Sequence, residues 1–112
     1  MSVLPNSFES TKIKYETIHD SDNLVIGNCT MYGDSELFVH YHDIDEIYII
    51  TEGVGYVYTG QKWEPAKKGD IFKFKSKTYH CAKTEKESIL KFTYVFFEGP
   101  FNTIKYHGKS NL

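Results

Sequence analysis

Apolar residues along this chain recur every second position, and no stretch of a dozen residues carries them at helical spacing. A period of two places alternate side chains on one face of an extended strand, so the pattern excludes a helical bundle and predicts sheets with one buried face. The residues 71–75, Ile-Phe-Lys-Phe-Lys, alternate strictly, and β-branched and aromatic residues dominate every apolar run, as strands prefer. Strands are predicted over 13–19, 24–32, 36–42, 47–51, 55–58, 71–75, 79–84 and 89–97, with a last edge strand over 102–106. Gly33-Asp34-Ser35, Thr59-Gly60-Gln61 and Gly99-Pro100 supply the turn signals between them. The expected fold is all-β in a single domain, a small sandwich or barrel. Residues 1–20 read as an N-terminal arm, loosely held over 6–11, followed by an edge strand, and 21–112 read as the barrel, in one domain.

Composition narrows the partners. The chain has 112 residues and a net charge of −2, which argues against a dedicated nucleic-acid binder. No apolar run reaches the roughly 20 residues of a membrane span, and two cysteines, Cys29 and Cys81, are too few for a disulfide scaffold, so a cytoplasmic setting is expected. All 13 basic residues are lysine. Without arginine, an anionic substrate has to be held by lysine, tyrosine, backbone N–H or a metal ion. Residues 1–59 carry two lysines and ten acids, and 60–112 carry eleven lysines and five acids. Interleaving of the two halves in a barrel predicts a mixed, solvated surface rather than a basic face.

One constellation carries chemistry. In His40-Tyr41-His42-Asp43-Ile44-Asp45-Glu46, a strand puts His40 and His42 on one face, and a turn at 43–45 returns Glu46 to it from the next strand. Downstream, Gly69-Asp70 opens a strand that leads to His80. Three imidazoles and a carboxylate suit one divalent metal ion, iron, nickel, zinc or manganese, with positions left for water or substrate.

These residues resemble the two motifs of the cupin family. The first, HxHxxxE followed after six residues by glycine, is met by His40, His42, Glu46 and Gly53; the second, a glycine with a histidine eleven residues on, by Gly69 and His80. Lys75, Lys77 and Thr84 stand where the family usually has proline, glycine and asparagine, departures that touch loop shape rather than ligands. The resemblance covers roughly residues 24–97. It implies a single-domain antiparallel jelly-roll barrel, metal ligation by His40, His42, Glu46 and His80, and pairing into a homodimer, here through the strand at 13–18 and the aromatics near Trp63.

Tyr48 shares the phase of Glu46 and faces the same interior. It reads either as a general base or hydrogen-bond donor with a lowered pKa, or as a packing aromatic. Tyr106 is expected at the barrel rim. Cys81 is expected to point away from His80 into packing, as is Cys29, with an interior thiol as the alternative. Phe38, Phe72, Phe74, Phe92 and Phe96 are read as core or pocket wall. Lys73, Lys75 and Lys77 share a solvated face; turned inward, Lys73 would be an anion contact. The strings His40-Tyr41-His42, Glu46-Ile47-Tyr48 and Lys67-Lys68-Gly69-Asp70 are also similar to small cupin lyases that cleave dimethylsulfoniopropionate, a resemblance that implies Tyr48 as base and Tyr106 as helper. The expected function is a metal-dependent enzyme on a small polar or carboxylate-bearing molecule, of lyase, isomerase or dioxygenase type; the alternative is a non-catalytic cupin that binds or senses a small ligand through the metal.

Overall fold

The computed structural model describes residues 7–9, 12–37 and 39–109, so Asn6, Ser10, Thr11 and Phe38, on which expectations fell, lie outside the described residues. Among the described residues there are ten strands: β1 (Ser7–Glu9), β2 (Ile13–Asp20), β3 (Val25–Tyr32), β4 (Val39–Tyr41), β5 (Glu46–Tyr58), β6 (Trp63–Lys67), β7 (Ile71–Phe74), β8 (Cys81–Lys83), β9 (Ile89–Phe96) and β10 (His107–Lys109). All pair antiparallel. No helix among them is long and apolar enough to cross a membrane.

The long strand β5 joins two sheets. Its first part lies between β9 and β7, extending the order β1-β2-β3-β9-β5; its second part, Val54 to Tyr58, pairs with β6 and β8. Bridges from His40 to His80 and from Glu36 to Lys83 bring β4 alongside β8, with β10 outside it. The result is an antiparallel jelly roll, all-β as the alternation predicts and of the form the family resemblance implies.

The core follows from phase and register. On β3, Val25, Cys29 and Met31 are buried, and they stand opposite Phe96, Phe92 and Leu90 of β9. Glu46, Tyr48 and Ile50 of β5 face the same interior, beside Phe96, Tyr94 and Phe92. Gly27 stands opposite Tyr94, and a Cβ there would lie 2.1 Å from the Tyr94 ring, so glycine makes the room that the phenol occupies.

Three expectations are corrected. Residues 47–51 and 55–58 are one strand, not two. The buried positions are even-numbered up to Ile50 and odd-numbered from Gly55, because the register with β9 shifts between Ile50 and Glu52 and reverses the inward phase. Residues 102–106 form no strand: Phe101–Thr103 is a 3₁₀ turn, closed by Thr103 Oγ1 donating to the Pro100 carbonyl at 2.7 Å, and β10 starts only at His107. The stretch expected as a loose arm forms a strand over Ser7–Glu9, which covers the expected free edge of β2 along Lys14 to Glu16.

Lys77 adopts φ +66, a left-handed conformation that costs a side-chain-bearing residue about 1–2 kcal/mol. Glycine avoids that cost but loses more backbone entropy on folding. Lys77→Gly is therefore expected to stabilise the fold by about 0.5–1 kcal/mol, seen as a higher urea midpoint at unchanged slope.

Candidate metal centre

The site is assembled from four segments. His40, on β4, and His42, just beyond it, are both buried on one face. Tyr41 between them points the other way, where its ring stacks on His107 at 4.6 Å. In the turn that follows, Ile44 is buried while Asp43 and Asp45 are exposed. Asp45 Oδ1 accepts the Ser76 N–H at 2.8 Å, and the Lys77 N–H donates to the His42 carbonyl at 2.7 Å, so the turn is tied to the loop after β7. Glu46 then opens β5. His80 is held opposite His40 by reciprocal backbone hydrogen bonds of 2.8 and 3.1 Å.

Candidate ligand atoms of His40, His42, Glu46 and His80 all lie within 4.8 Å of one another, and all four residues are buried. His42 Nε2 lies 2.9 Å and His80 Nε2 2.8 Å from the same oxygen, Glu46 Oε1. Their other ring nitrogens face carbonyls: His42 Nδ1 donates to Ile44 at 3.1 Å and His80 Nδ1 to Thr78 at 2.8 Å. A carbonyl only accepts, so each Nδ1 carries a proton, and a neutral ring then aims its Nε2 lone pair inward. Two lone pairs and a carboxylate oxygen at these distances repel unless positive charge sits among them. Protons supply it when the imidazoles are charged; a metal cation supplies it when they are neutral. The donor set, three imidazole nitrogens and one carboxylate oxygen with carbonyls fixing the tautomer of two rings, is the chemistry of a divalent transition-metal site.

Aromatic packing holds the rings. Phe74 stacks on His80 at 4.4 Å, Phe96 meets His42 edge-on at 4.9 Å, and Tyr106 lies 5.1 Å from His40. Burial pushes the Glu46 carboxyl up, but hydrogen bonds from His42 and His80, with their charges, outweigh it and bring the group to about 2. Burial, and then the Glu46 charge, raises Tyr48 well above the ordinary phenol value. Tyr106 is raised by the same two causes, burial first.

A cavity of about 70 Å³ adjoins the cluster and touches it through His40 and Glu46. Tyr48 lines it as its phase predicts, and Tyr106, expected at the rim, is buried in its wall. Cys29 also lines the cavity, so the interior alternative is the one the structure supports; burial, then Glu46, pushes its thiol up to about 12. Cys81 is buried away from it. Phe92 and Phe96 form cavity wall, Phe74 is core and Phe72 is half-buried. Lys73, Lys75 and Lys77 are all exposed, so no inward anion contact forms. Thr84 ties the loop at Ser35, whose N–H its Oγ1 accepts at 3.1 Å. The sequence reading missed Tyr94, Tyr15, Leu37 and Phe101 in the cavity wall. Tyr94 shares the phase of Phe92 and Phe96 and was findable by it; Tyr15 and Leu37 depend on strand placement that no local pattern encodes.

Residues 30–96 match the family model described as a cupin domain. The chain is a cupin. No curated protein sequence matches it. Among solved structures, this cupin is similar to the polyketide cyclase RemF from Streptomyces resistomycificus, with a TM-score of 0.77 and 14% identity over 96% of this chain and 76% of that one. A protein with a double-stranded β-helix domain from Klebsiella pneumoniae superposes with a TM-score of 0.75 and 18% identity, over 96% of this cupin and 91% of that chain. A variant oxalate decarboxylase from Bacillus subtilis gives a TM-score of 0.76 and 19% identity over 87% of the cupin, which spans only 28% of the decarboxylase. At these identities the likeness shows the cupin fold and carries no activity across.

Proposed function

We propose that this cupin is a metal-dependent enzyme acting on a small polar or carboxylate-bearing molecule, by lyase, isomerase or dioxygenase chemistry. The supporting observation is the convergence of His42 Nε2 and His80 Nε2 on Glu46 Oε1, with both Nδ1 atoms committed to carbonyls. His40, His42, Glu46 and His80 would hold one divalent ion: iron, nickel, zinc or manganese. Bound there, the ion supplies a Lewis acid that polarises a substrate oxygen and a template that orients it. One carboxylate with three neutral imidazoles leaves a divalent centre with net positive charge, which draws an oxygen head to the His40–Glu46 side, where the cavity opens.

The remaining roles belong to side chains of the wall. Tyr48 lines the cavity beside the cluster, where its hydroxyl is the proton-transfer partner and donates to an oxygen on which negative charge develops. Tyr106, against the His40 ring, orients the bound molecule. Phe92 and Phe96 exclude water from the reacting centre and so strengthen every charge interaction within it. The same donor role for Tyr48 also suits the second reading, a cupin that binds or senses a small ligand without turnover.

Elemental analysis of the wild type and His42→Ala tests the metal. One ion per chain, lost in the variant, is the expected result, and no ion in the wild type after reconstitution would overturn the proposal. Tyr48→Phe tests the chemistry. Loss of about 10²–10⁴-fold in kcat with ligand affinity nearly unchanged is expected of an enzyme. No wild-type turnover in a screen of small ketones and carboxylates, with unchanged affinity in the variant, favours the binding module.

A further inference from the structure

The cavity beside the cluster has an uneven chemistry. One side is the cluster itself, met at His40 and Glu46; the rest is aromatic ring, Leu37, the Cys29 thiol and the phenols of Tyr15, Tyr48, Tyr94 and Tyr106. The one formal charge among the lining residues, apart from any charge on His40, is the carboxylate of Glu46, and it is negative. Among the described residues no lysine lines the cavity, and the chain contains no arginine to do so. Its volume of about 70 Å³ is roughly half the ~150 Å³ that admits a benzene, which leaves space for a body of about three or four heavy atoms behind a head that lies at the cluster.

We propose that the cavity takes a small molecule with one oxygen head directed at the cluster and a short uncharged body against the aromatic wall, and that it rejects molecules whose body carries a second negative charge. The inference rests on reading the cluster as a metal centre, and it names the substrate class of that same site. An anionic body would leave water for a wall that offers no counter-charge. With an anionic head in place, its charge and that of Glu46 together would balance a divalent ion, so a second negative charge would find no net positive charge left at the cluster, and aromatic faces are themselves electron-rich. An uncharged body meets no such cost. Phenol hydroxyls can donate to a carbonyl, ether or alcohol oxygen on it, and the rings cover its alkyl part. Monocarboxylates, hydroxyketones and enolisable ketones with short alkyl bodies therefore fit, and dicarboxylates do not.

The experiment uses the full chain loaded with zinc, with metal content measured on each sample and two probes of equal heavy-atom number. Both carry a hydroxamate head; one is 3-methylbutanohydroxamic acid, with an isobutyl tail, and the other is the monohydroxamate of malonic acid, with a carboxylate in that tail. Calorimetry is expected to show the isobutyl probe binding at least 100-fold more tightly. Leu37 is half-buried and lines the cavity, so a lysine there can bring its ammonium to the wall while keeping its stem packed. In Leu37→Lys, still loading one zinc, the ratio is expected to narrow at least tenfold. Equal binding of the two probes by zinc-loaded wild type, or a preference for the carboxylate, would overturn the inference and leave the metal reading standing. An unchanged ratio in Leu37→Lys would count equally against it. A chain that takes up none of zinc, nickel, iron or manganese would overturn both, and the metal measurement tells these cases apart.

Discussion

Gly53→Ala is expected to remove a large share of the stability of the fold at 25 °C, about 4 kcal/mol or more. Gly53 sits at φ +83, and a Cβ there would lie 1.8 Å from the Ile89 carbonyl oxygen and 2.7 Å from its carbon. The obstacle is backbone, within the antiparallel pairing of Gly53 with Leu90 that joins β5 to β9, so no side chain can turn aside. Left-handed strain costs about 1–2 kcal/mol, and opening the ladder leaves buried backbone groups unpaired at about 1–3 kcal/mol each. A loss of about 4 kcal/mol or more follows, against a total stability of about 5–15 kcal/mol. Gly69→Ala is the control. It has φ +95 but nothing within 4 Å of the added methyl, so only the strain of about 1–2 kcal/mol is expected. Urea unfolding followed by circular dichroism separates the two; similar losses in both would show that strain, not the clash, makes Gly53 necessary.

Phe74→Ala is expected to weaken the fold and the metal centre together. Phe74 is buried, lies edge-on to Tyr48 at 4.8 Å and stacks on His80 at 4.4 Å with the rings 15° from parallel. Removing a buried phenylalanine costs about 3–5 kcal/mol. Releasing the ring that fixes His80 is expected to lower metal affinity by about 10–100-fold, the usual effect of losing a group that orients a ligand. Denaturation gives the first number and chelator competition the second. Full metal affinity in a destabilised variant would show that the Thr78 carbonyl alone, at 2.8 Å from His80 Nδ1, orients the imidazole.

The strands easiest to read were those that keep one phase throughout. β3 and β9 alternate along their whole lengths, and their buried residues are the ones the alternation names. β5 reads as two strands because its phase reverses after Ile50, and a reversal looks like an ending when only side-chain period is visible. The 3₁₀ turn after Pro100 reads as strand because Phe101 and Ile104, both buried, supply apolar character without strand pairing. Tyr106 reads as a rim residue because nothing near it in sequence shows that β10 lies alongside β4, which carries its ring to His40.

Local pattern is enough for the strand class and for the phase that sets His40, His42, Glu46 and Tyr48 on one interior. Both follow from the period-two geometry of an extended chain, which acts over a few residues. Composition is enough to say that this chain brings no arginine to the site. That His80 stands against His40 and shares Glu46 Oε1 with His42 emerges from the assembled sheets alone. So does the closing of the cavity by Tyr15, Cys29, Leu37 and Tyr94, with the lysines of β7 and its following loop outside. Those placements depend on register between strands distant in sequence, where a slip of one residue exchanges the inner face for the outer.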